Sequence, residues 1–198
     1  MKILTRVSKE GHMNKIVFMI PFFILLLALK GCTTTAATYS AAVDERDMST
    51  IYNDTTIKGS IVKKFFDDDK INSLDISTGC YEGDVYLVGE YETVDQKDRA
   101  IKLAKSVEGV KSVTTYLIPK KEDDLCGTTD NLEIVGKVKA NLVGDKEIWS
   151  TNIHIKSIQC HVVLYGLVGT EKEINKAIAH AKSVEGVRSV KSFLKSKK

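Results

Sequence analysis

The sequence contains none of the short motifs that mark common catalytic sites. Its 198 residues include no glycine-rich phosphate loop, no His-Glu zinc pattern and no nucleophile elbow. His154, Cys160 and His161 lie close together in the sequence, but they supply too few ligands at the spacing of a zinc site. We therefore expect a protein that is not an enzyme, with no catalytic residues, metal or other cofactor, and no small-molecule substrate.

Long apolar runs are also scarce. The longest covers the 14 residues 16–29, and Lys2, Arg6, Lys9 and Lys15 precede it. A membrane-spanning helix needs roughly 20 apolar residues. The run is therefore typical of the hydrophobic region of a secretory signal peptide, which we assign to residues 1–31, with Met1 or Met13 as the start.

The end of this segment, Leu29-Lys30-Gly31-Cys32, resembles the lipobox of bacterial lipoproteins. That resemblance implies that Cys32 becomes the lipidated first residue of the mature chain. Thr33 follows it where the inner-membrane retention signal has Asp, which favours the periplasmic face of the outer membrane. The alternative is an ordinary signal peptide in which Cys32 has no role.

Cysteine is the next scarce residue, with four in the chain. If Cys32 is lipidated, then Cys80, Cys126 and Cys160 remain in an oxidising compartment. Three is an odd number, so one disulfide with a free thiol or an intermolecular bridge is expected. The sequence leaves all three pairings open.

An internal repeat dominates the rest of the sequence. The decapeptides at 104–113 and 181–190 differ only at Lys111 and Arg188, and they lie 77 residues apart. The same offset holds upstream without a gap, which indicates one structural unit built twice. We assign a flexible tether with the lipidated Cys32 to residues 32–55, one domain to 56–120, an acidic connector to 121–131 and a second domain to 132–198.

Each copy predicts the element order α-β-β-α-β. Apolar residues at helical spacing start each copy, and two short alternating strands follow, beginning near Leu74 and Thr151. Thr93 and Thr170 are expected to cap a second helix, which Gly109 and Gly186 should stop before a last strand. The fold class is thus α+β, a tandem repeat in which each three-stranded mixed sheet carries two helices on one face.

The opposite face of each sheet is unusually apolar. Strand alternation points two sets of side chains to that face: Tyr86, Val88 and Tyr116 in the first copy, and Val163, Tyr165 and Phe193 in the second. An uncovered sheet face would be polar. We predict that the two repeats dock through these faces; the alternative is that the faces hold a partner protein of the envelope.

Two motifs in each copy resemble the BON domain. They are the strand segments 85–89 and 162–166 and the turns 107–113 and 184–190. Together with the lipobox, the pair of domains is similar to the dual BON-domain outer-membrane lipoproteins. Membership of that family implies binding of anionic phospholipid through the first helix of the second domain and a role in envelope integrity. Periplasmic osmotic-stress proteins share the domain pair without the anchor.

The charge distribution also favours the first helix of the second domain as the lipid-binding element. Residues 133–198 contain 12 Lys and Arg against 6 acidic residues, whereas residues 57–120 contain 10 against 11. At about 100° per residue, one face of this helix carries four side chains, those of Leu132, Val135, Lys139 and Val143. With Lys137 close by and Trp149 as an interfacial aromatic, the expected lipid-binding residues are Leu132, Val135, Lys137, Lys139, Val143 and Trp149. The alternative is that this face packs on the neighbouring repeat or the connector. We expect an anionic phospholipid membrane and an envelope protein as partners, and no nucleic acid.

Overall fold

The structure, a computed structural model, describes residues 46–197. The first repeat consists of α1 (Met48–Phe66), β1 (Ile76–Tyr81), β2 (Asp84–Tyr91), α2 (Val94–Lys105) and β3 (Ser112–Pro119). The second consists of α3 (Thr128–Gly144), a short 3₁₀ helix (Ser150–Asn152), β4 (Ile153–Ile158), β5 (His161–Val168), α4 (Glu171–Lys182) and β6 (Ser189–Ser196).

Each repeat forms a three-stranded mixed sheet with its two helices on one face. The strand orders are β1-β2-β3 and β4-β5-β6. The first pair in each sheet is antiparallel and the second is parallel. The helices and sheet of each repeat enclose a separate apolar core, centred on Ile61 and Phe65 in the first and on Val138 and Leu142 in the second. The predicted fold class is confirmed.

Both first helices begin earlier than the sequence pattern indicated. Residues 48–55, assigned to the tether, belong to α1, because the Asp47 carboxylate accepts the backbone N–H of Thr50 at 2.9 Å and caps the helix there. Residues 128–131, assigned to the connector, belong to α3, where the Asp130 carboxylate accepts the N–H of Gly127 at 2.8 Å. Polar capping residues therefore extend each helix beyond its apolar spacing.

Several local details also differ from the prediction. The second helices begin after Thr93 and Thr170 as expected, but they end at Lys105 and Lys182. Gly109 and Gly186 follow in the next turn, where φ is +87° in both. The first strands begin at Ile76 and Ile153, so Leu74 and Thr151 lie outside them.

The two repeats pack against each other through the sheet faces that lack helices. Tyr81, Tyr86, Val88, Val163 and Tyr165 form a third buried cluster between the sheets, with Tyr116 and Phe193 packed at its margin. The rings of Tyr86 and Tyr165 stack with centroids 4.9 Å apart. Docking between the repeats is confirmed, and the proposal that these aromatic faces hold a partner protein is wrong, because the repeats bury them against each other. The result is four layers, with helices outermost on both sides.

Polar contacts fix the register of this junction. The side-chain amide of Gln159, in the β4–β5 turn, donates to Glu90 at 2.7 Å and to the carbonyl of Pro119 at 2.8 Å. At the other end Lys195 of β6 pairs with Asp84 of β2. Because Gln159 is buried, its two bonds also satisfy a polar group that would otherwise be costly to enclose.

The sequence had left the cysteine pairing open, and the structure shows a disulfide between Cys126 and Cys160. It joins the connector to the β4–β5 turn, beside the bond from Arg188 to Asp124 at 2.8 Å. Cys80 is a free, half-buried thiol. Burial and the neighbouring Asp54 raise the pKa of Cys80 to about 12, so its thiol stays protonated at neutral pH.

Candidate lipid-binding site

Helix α3 divides into a buried face and an exposed apolar stripe. Ile134, Val138 and Leu142 enter the core of the second repeat. On another side of the helix Leu132 is 68% exposed and Val143 is 65% exposed, and the exposed Lys139 lies between them on the same stripe. We define these three residues as the α3 stripe. A helical surface with aliphatic side chains beside a lysine suits the headgroup layer of a bilayer.

The other two predicted residues of the helix lie outside this stripe. Val135 is half-buried at its margin. Lys137 lies on a different flank, where its ammonium pairs with Glu133 at 2.6 Å. That flank borders a groove of about 370 Å³ with Glu185 and Arg188. Lys137 therefore does not share the face of Lys139, because residues two apart on a helix point about 160° from each other.

Trp149 lies in the loop between α3 and β4, and it is 48% exposed. Its backbone N–H donates to Glu173 of α4 at 3.1 Å. Two acidic residues tie the same loop to α4: Asp145 contacts Lys176 and His180, and Glu147 contacts Lys172. The loop thus holds Trp149 in place next to α4, separate from the α3 stripe.

The contacts of Asp145 predict an acid-sensitive loop. The hydrogen bond with His180, the N–H of Glu147 and Lys176 hold the pKa of the Asp145 carboxyl well below its ordinary value of 3.8. A carboxyl whose pKa is lower in the folded state stabilises the fold above about pH 4, and that contribution disappears as the pH falls further. Asp145→Asn should therefore lower the thermal midpoint at pH 7 and have a shrinking effect below pH 4.

The measurement is a series of thermal unfolding curves from pH 7 to pH 2.5 for the wild type and Asp145→Asn. Asp123→Asn serves as the control, because residues 46–197 contain no ion pair to Asp123. If Asp145→Asn and Asp123→Asn change the midpoint equally at every pH, the contacts of Asp145 do not stabilise the loop.

The sequence analysis missed exposed apolar residues on the first helix of the first repeat. In α1 Tyr52 is 72% exposed, Phe66 is 79% exposed and Val62 is 44% exposed. The 77-residue offset pairs Val62 and Phe66 with Lys139 and Val143, so the two helices present equivalent stripes. We define Tyr52, Val62 and Phe66 as the α1 stripe. Tyr52 lies in the segment that the sequence assigned to the tether.

A second missed feature is a buried carboxylate at the β1–β2 turn. Asp54 of α1 accepts the backbone N–H groups of Glu82 and Gly83, each at 2.8 Å, and pairs with Arg46. The Arg46 guanidinium in turn lies 3.9 Å from the centre of the Tyr81 ring. The offset between the two repeats indicates this buried polar site, because it pairs Asp54 with Asn131. Asn131 bonds the equivalent turn of the second repeat, accepting from Ser157 at 2.7 Å and from the Cys160 N–H at 3.1 Å.

Comparison with known proteins defines the class. The BON domain family matches residues 53–118 and 130–198, which correspond to the two structural repeats. The chain therefore belongs to the BON-domain family, with two BON domains in tandem. The resemblance inferred from the strand and turn motifs is confirmed.

Relatives that span most of the chain include two with descriptive names. It is 33% identical over 147 residues to osmotically-inducible protein Y of Escherichia coli, covering 73% of each protein. It is 27% identical over 168 residues to the outer membrane lipoprotein DolP of Haemophilus influenzae, covering 82% of this chain and 86% of DolP. The solved structures that match include the C-terminal domain of CdsD, the structural protein of the type III secretion system of Chlamydia trachomatis. The match has 15% identity and a TM-score of 0.31, over 73% of this chain and 67% of that one.

The predicted signal peptide and Cys32 lie outside the described residues. Within residues 46–197, none of the helices combines the length and apolar character that crossing a bilayer requires. Membrane attachment at Cys32 therefore stays a prediction from the lipobox.

Proposed function

We propose that this protein is a non-catalytic lipoprotein of the outer membrane that is anchored at Cys32, faces the periplasm, binds anionic phospholipid through α3 and supports envelope integrity. The observation that carries the proposal is the α3 stripe, which leaves Leu132 and Val143 exposed beside Lys139. An apolar surface that neither the core nor the neighbouring repeat covers calls for another contact.

The charge of the second repeat supports an anionic surface as that contact. Its 12 basic residues exceed its acidic residues by 6. Each Lys or Arg close to an anionic membrane contributes about 1 kcal/mol at low salt. The likeness to a relative named an outer membrane lipoprotein supports the location. Trp149 adds an exposed aromatic side chain in the same repeat and is proposed as a secondary contact.

The proposal predicts that residues 33–198 float with phosphatidylglycerol vesicles and stay at the bottom of the gradient with phosphatidylcholine vesicles. Lys139→Glu with Val143→Glu should reduce the floating fraction at least about tenfold, because it removes apolar contact and adds repulsion to the phosphates. Flotation at low and high salt separates the electrostatic part, which salt screens.

The control is Asn175→Glu with Lys182→Glu on α4, which changes the net charge of the same repeat by the same amount at two exposed positions. An equal loss of flotation in this control would show that bulk charge decides binding and would contradict a site on α3. A lack of flotation by the wild type would contradict lipid binding altogether. In cells, the α3 variant should also fail to restore detergent resistance to a strain that lacks the protein.

A further inference from the structure

The α1 stripe is at least as apolar as the α3 stripe, and its direction on the repeat can be read from its neighbours. The flank of α1 with Asn53, Ser60 and Lys64 lines a groove of about 940 Å³ against the α2–β3 loop, which Tyr52 at the margin of the stripe also borders. At about 100° per residue, Val62 and Phe66 lie on the side of α1 that faces away from this groove. Since α1 packs on β1, an edge strand of the sheet, the α1 stripe leans toward that edge.

The second repeat has the same arrangement. The flank of α3 that carries Glu133 and Lys137 borders the smaller groove near Arg188, and α3 packs on the edge strand β4. The α3 stripe therefore leans toward the edge that β4 forms.

The two edge strands lie on the same side of the four layers. The Tyr81 ring at the end of β1 is 6.4 Å from the His154 ring at the start of β4. Gly79, also in β1, lies directly against the ring of Tyr165, on which His154 stacks at 5.1 Å. Because β1 faces β4 across the junction, the α1 and α3 stripes flank one edge of the molecule. We define this edge with its two stripes as the two-helix edge.

Two lysines at this edge form no salt bridge with a carboxylate of residues 46–197. Lys58 is an exposed residue of α1, and Lys156 is a half-buried residue of β4. At about 100° per residue Lys58 lies about 40° from Val62 on α1, and Lys156 belongs to the edge strand β4. In keeping with this placement, burial and the positive charge of Lys58 lower the pKa of Lys156. A surface that brings anionic groups to the edge would relieve this repulsion.

We propose that the two-helix edge rests on the leaflet that holds the Cys32 anchor, so that α1 and α3 contact lipid together, with the Lys58 and Lys156 side chains directed at its phosphates. This inference rests on the proposed function and extends its site from one helix to two. The length of the chain supports it. Fifteen residues separate Cys32 from Met48, and they reach at most about 50 Å when fully extended. An anchored chain thus keeps the start of α1 within about 50 Å of that leaflet, a distance that permits the contact.

The test measures the depth of each stripe on the anchored protein. The lipidated chain is reconstituted in vesicles of phosphatidylglycerol and phosphatidylcholine, with Cys80→Ser to remove the free thiol. A polarity-sensitive fluorophore is attached to Phe66→Cys, to Val143→Cys or, as the control, to Lys102→Cys on the polar face of α2. Phospholipids spin-labelled near the headgroup should quench positions 66 and 143 at least about threefold more than position 102.

The other possible quenching results separate failure of the two-helix contact from failure of the proposed function. Quenching at 143 but not at 66 overturns the two-helix contact and leaves the proposed function intact. Quenching at neither position overturns both. The emission of the fluorophore at position 66 could also be shifted in detergent, without vesicles. That result would overturn the inference in favour of a second copy of the chain covering the α1 stripe.

A charge substitution gives an independent readout on the same helix. Lys58→Glu should weaken partition into phosphatidylglycerol vesicles at least about fivefold, because the lysine is placed at the edge. Lys64→Glu makes the same charge change on the groove flank of α1 and should weaken partition less than about twofold. Equal effects of the two substitutions would overturn the placement of the membrane at the two-helix edge.

Discussion

Replacing Asp54 with leucine is expected to lower the free energy of unfolding by about 3–5 kcal/mol. The substitution strands two backbone N–H groups of the β1–β2 turn and leaves the largely buried guanidinium of Arg46 without its carboxylate. A buried donor that loses its acceptor costs about 1–3 kcal/mol by itself. For a folded unit of this size, the thermal midpoint should fall by about 10 °C.

Asparagine at the same position is the matched control. Asn131 occupies the equivalent site of the second repeat and holds the equivalent turn with its side-chain oxygen, at 3.1 Å from the Cys160 N–H. Asp54→Asn can therefore keep a hydrogen bond to the turn while it loses the charge that faces Arg46. We expect it to cost less than half as much as Asp54→Leu in urea unfolding. If the two variants unfold at the same urea concentration, the hydrogen bonds to the turn do not contribute as described.

The architecture was predictable because its signals are periodic and appear twice. The near-identical turns around Gly109 and Gly186 fixed the offset, and the offset then aligned weaker helix and strand patterns. Helix starts were less predictable. Asp54 interrupts the apolar spacing of α1 because a polar side chain is buried there to bond a turn 28 residues away. Contacts between residues so far apart leave no periodic trace in the sequence.

The candidate site was predictable only in part for a similar reason. Helical spacing correctly grouped Leu132, Lys139 and Val143, because exposure on one helix follows from its period. The same spacing places Lys137 one turn after Glu133 and about 160° from Lys139, so its position off the stripe was also readable from the sequence. Helical spacing could not show that α1 and α3 flank the same edge, because that depends on which edge strands meet when the repeats dock. The Cys126–Cys160 pairing likewise depends on the path of the connector across the second repeat.

The junction between the two sheets depends on the absence of a side chain at Gly79. A β-carbon there would lie 2.5 Å from Cε2 of Tyr165 and 2.8 Å from Cζ. The ring cannot move aside easily, because it stacks on Tyr86 at 4.9 Å and on His154 at 5.1 Å. Burial also raises the pKa of Tyr165 to about 12, so the ring stays neutral. Gly79→Val should therefore cost about 3 kcal/mol through overpacking.

The repeat itself provides the compensating variant. The 77-residue offset pairs Gly79 with Lys156 and Tyr165 with Val88, so the equivalent positions of the other repeat carry a large residue for Gly79 and a smaller one for Tyr165. Tyr165→Val alone should also destabilise the junction, by about 3 kcal/mol, because it leaves a cavity. Combining it with Gly79→Val fills that cavity, and the double variant should be more stable than the sum of the single effects by at least about 1 kcal/mol. Simple additivity in urea unfolding would contradict the contact.

The same variants connect the junction to membrane binding. Gly79 and Tyr165 lie between the sheets and outside both stripes, so neither residue is expected to touch lipid. If the junction aligns α1 with α3, then Gly79→Val should weaken partition into phosphatidylglycerol vesicles at temperatures where each repeat stays folded by far-ultraviolet circular dichroism. The Gly79→Val and Tyr165→Val double variant should recover partition together with stability. If Gly79→Val partitions fully although its repeats have separated, one helix is sufficient for membrane binding. The docking of the repeats would then serve stability alone.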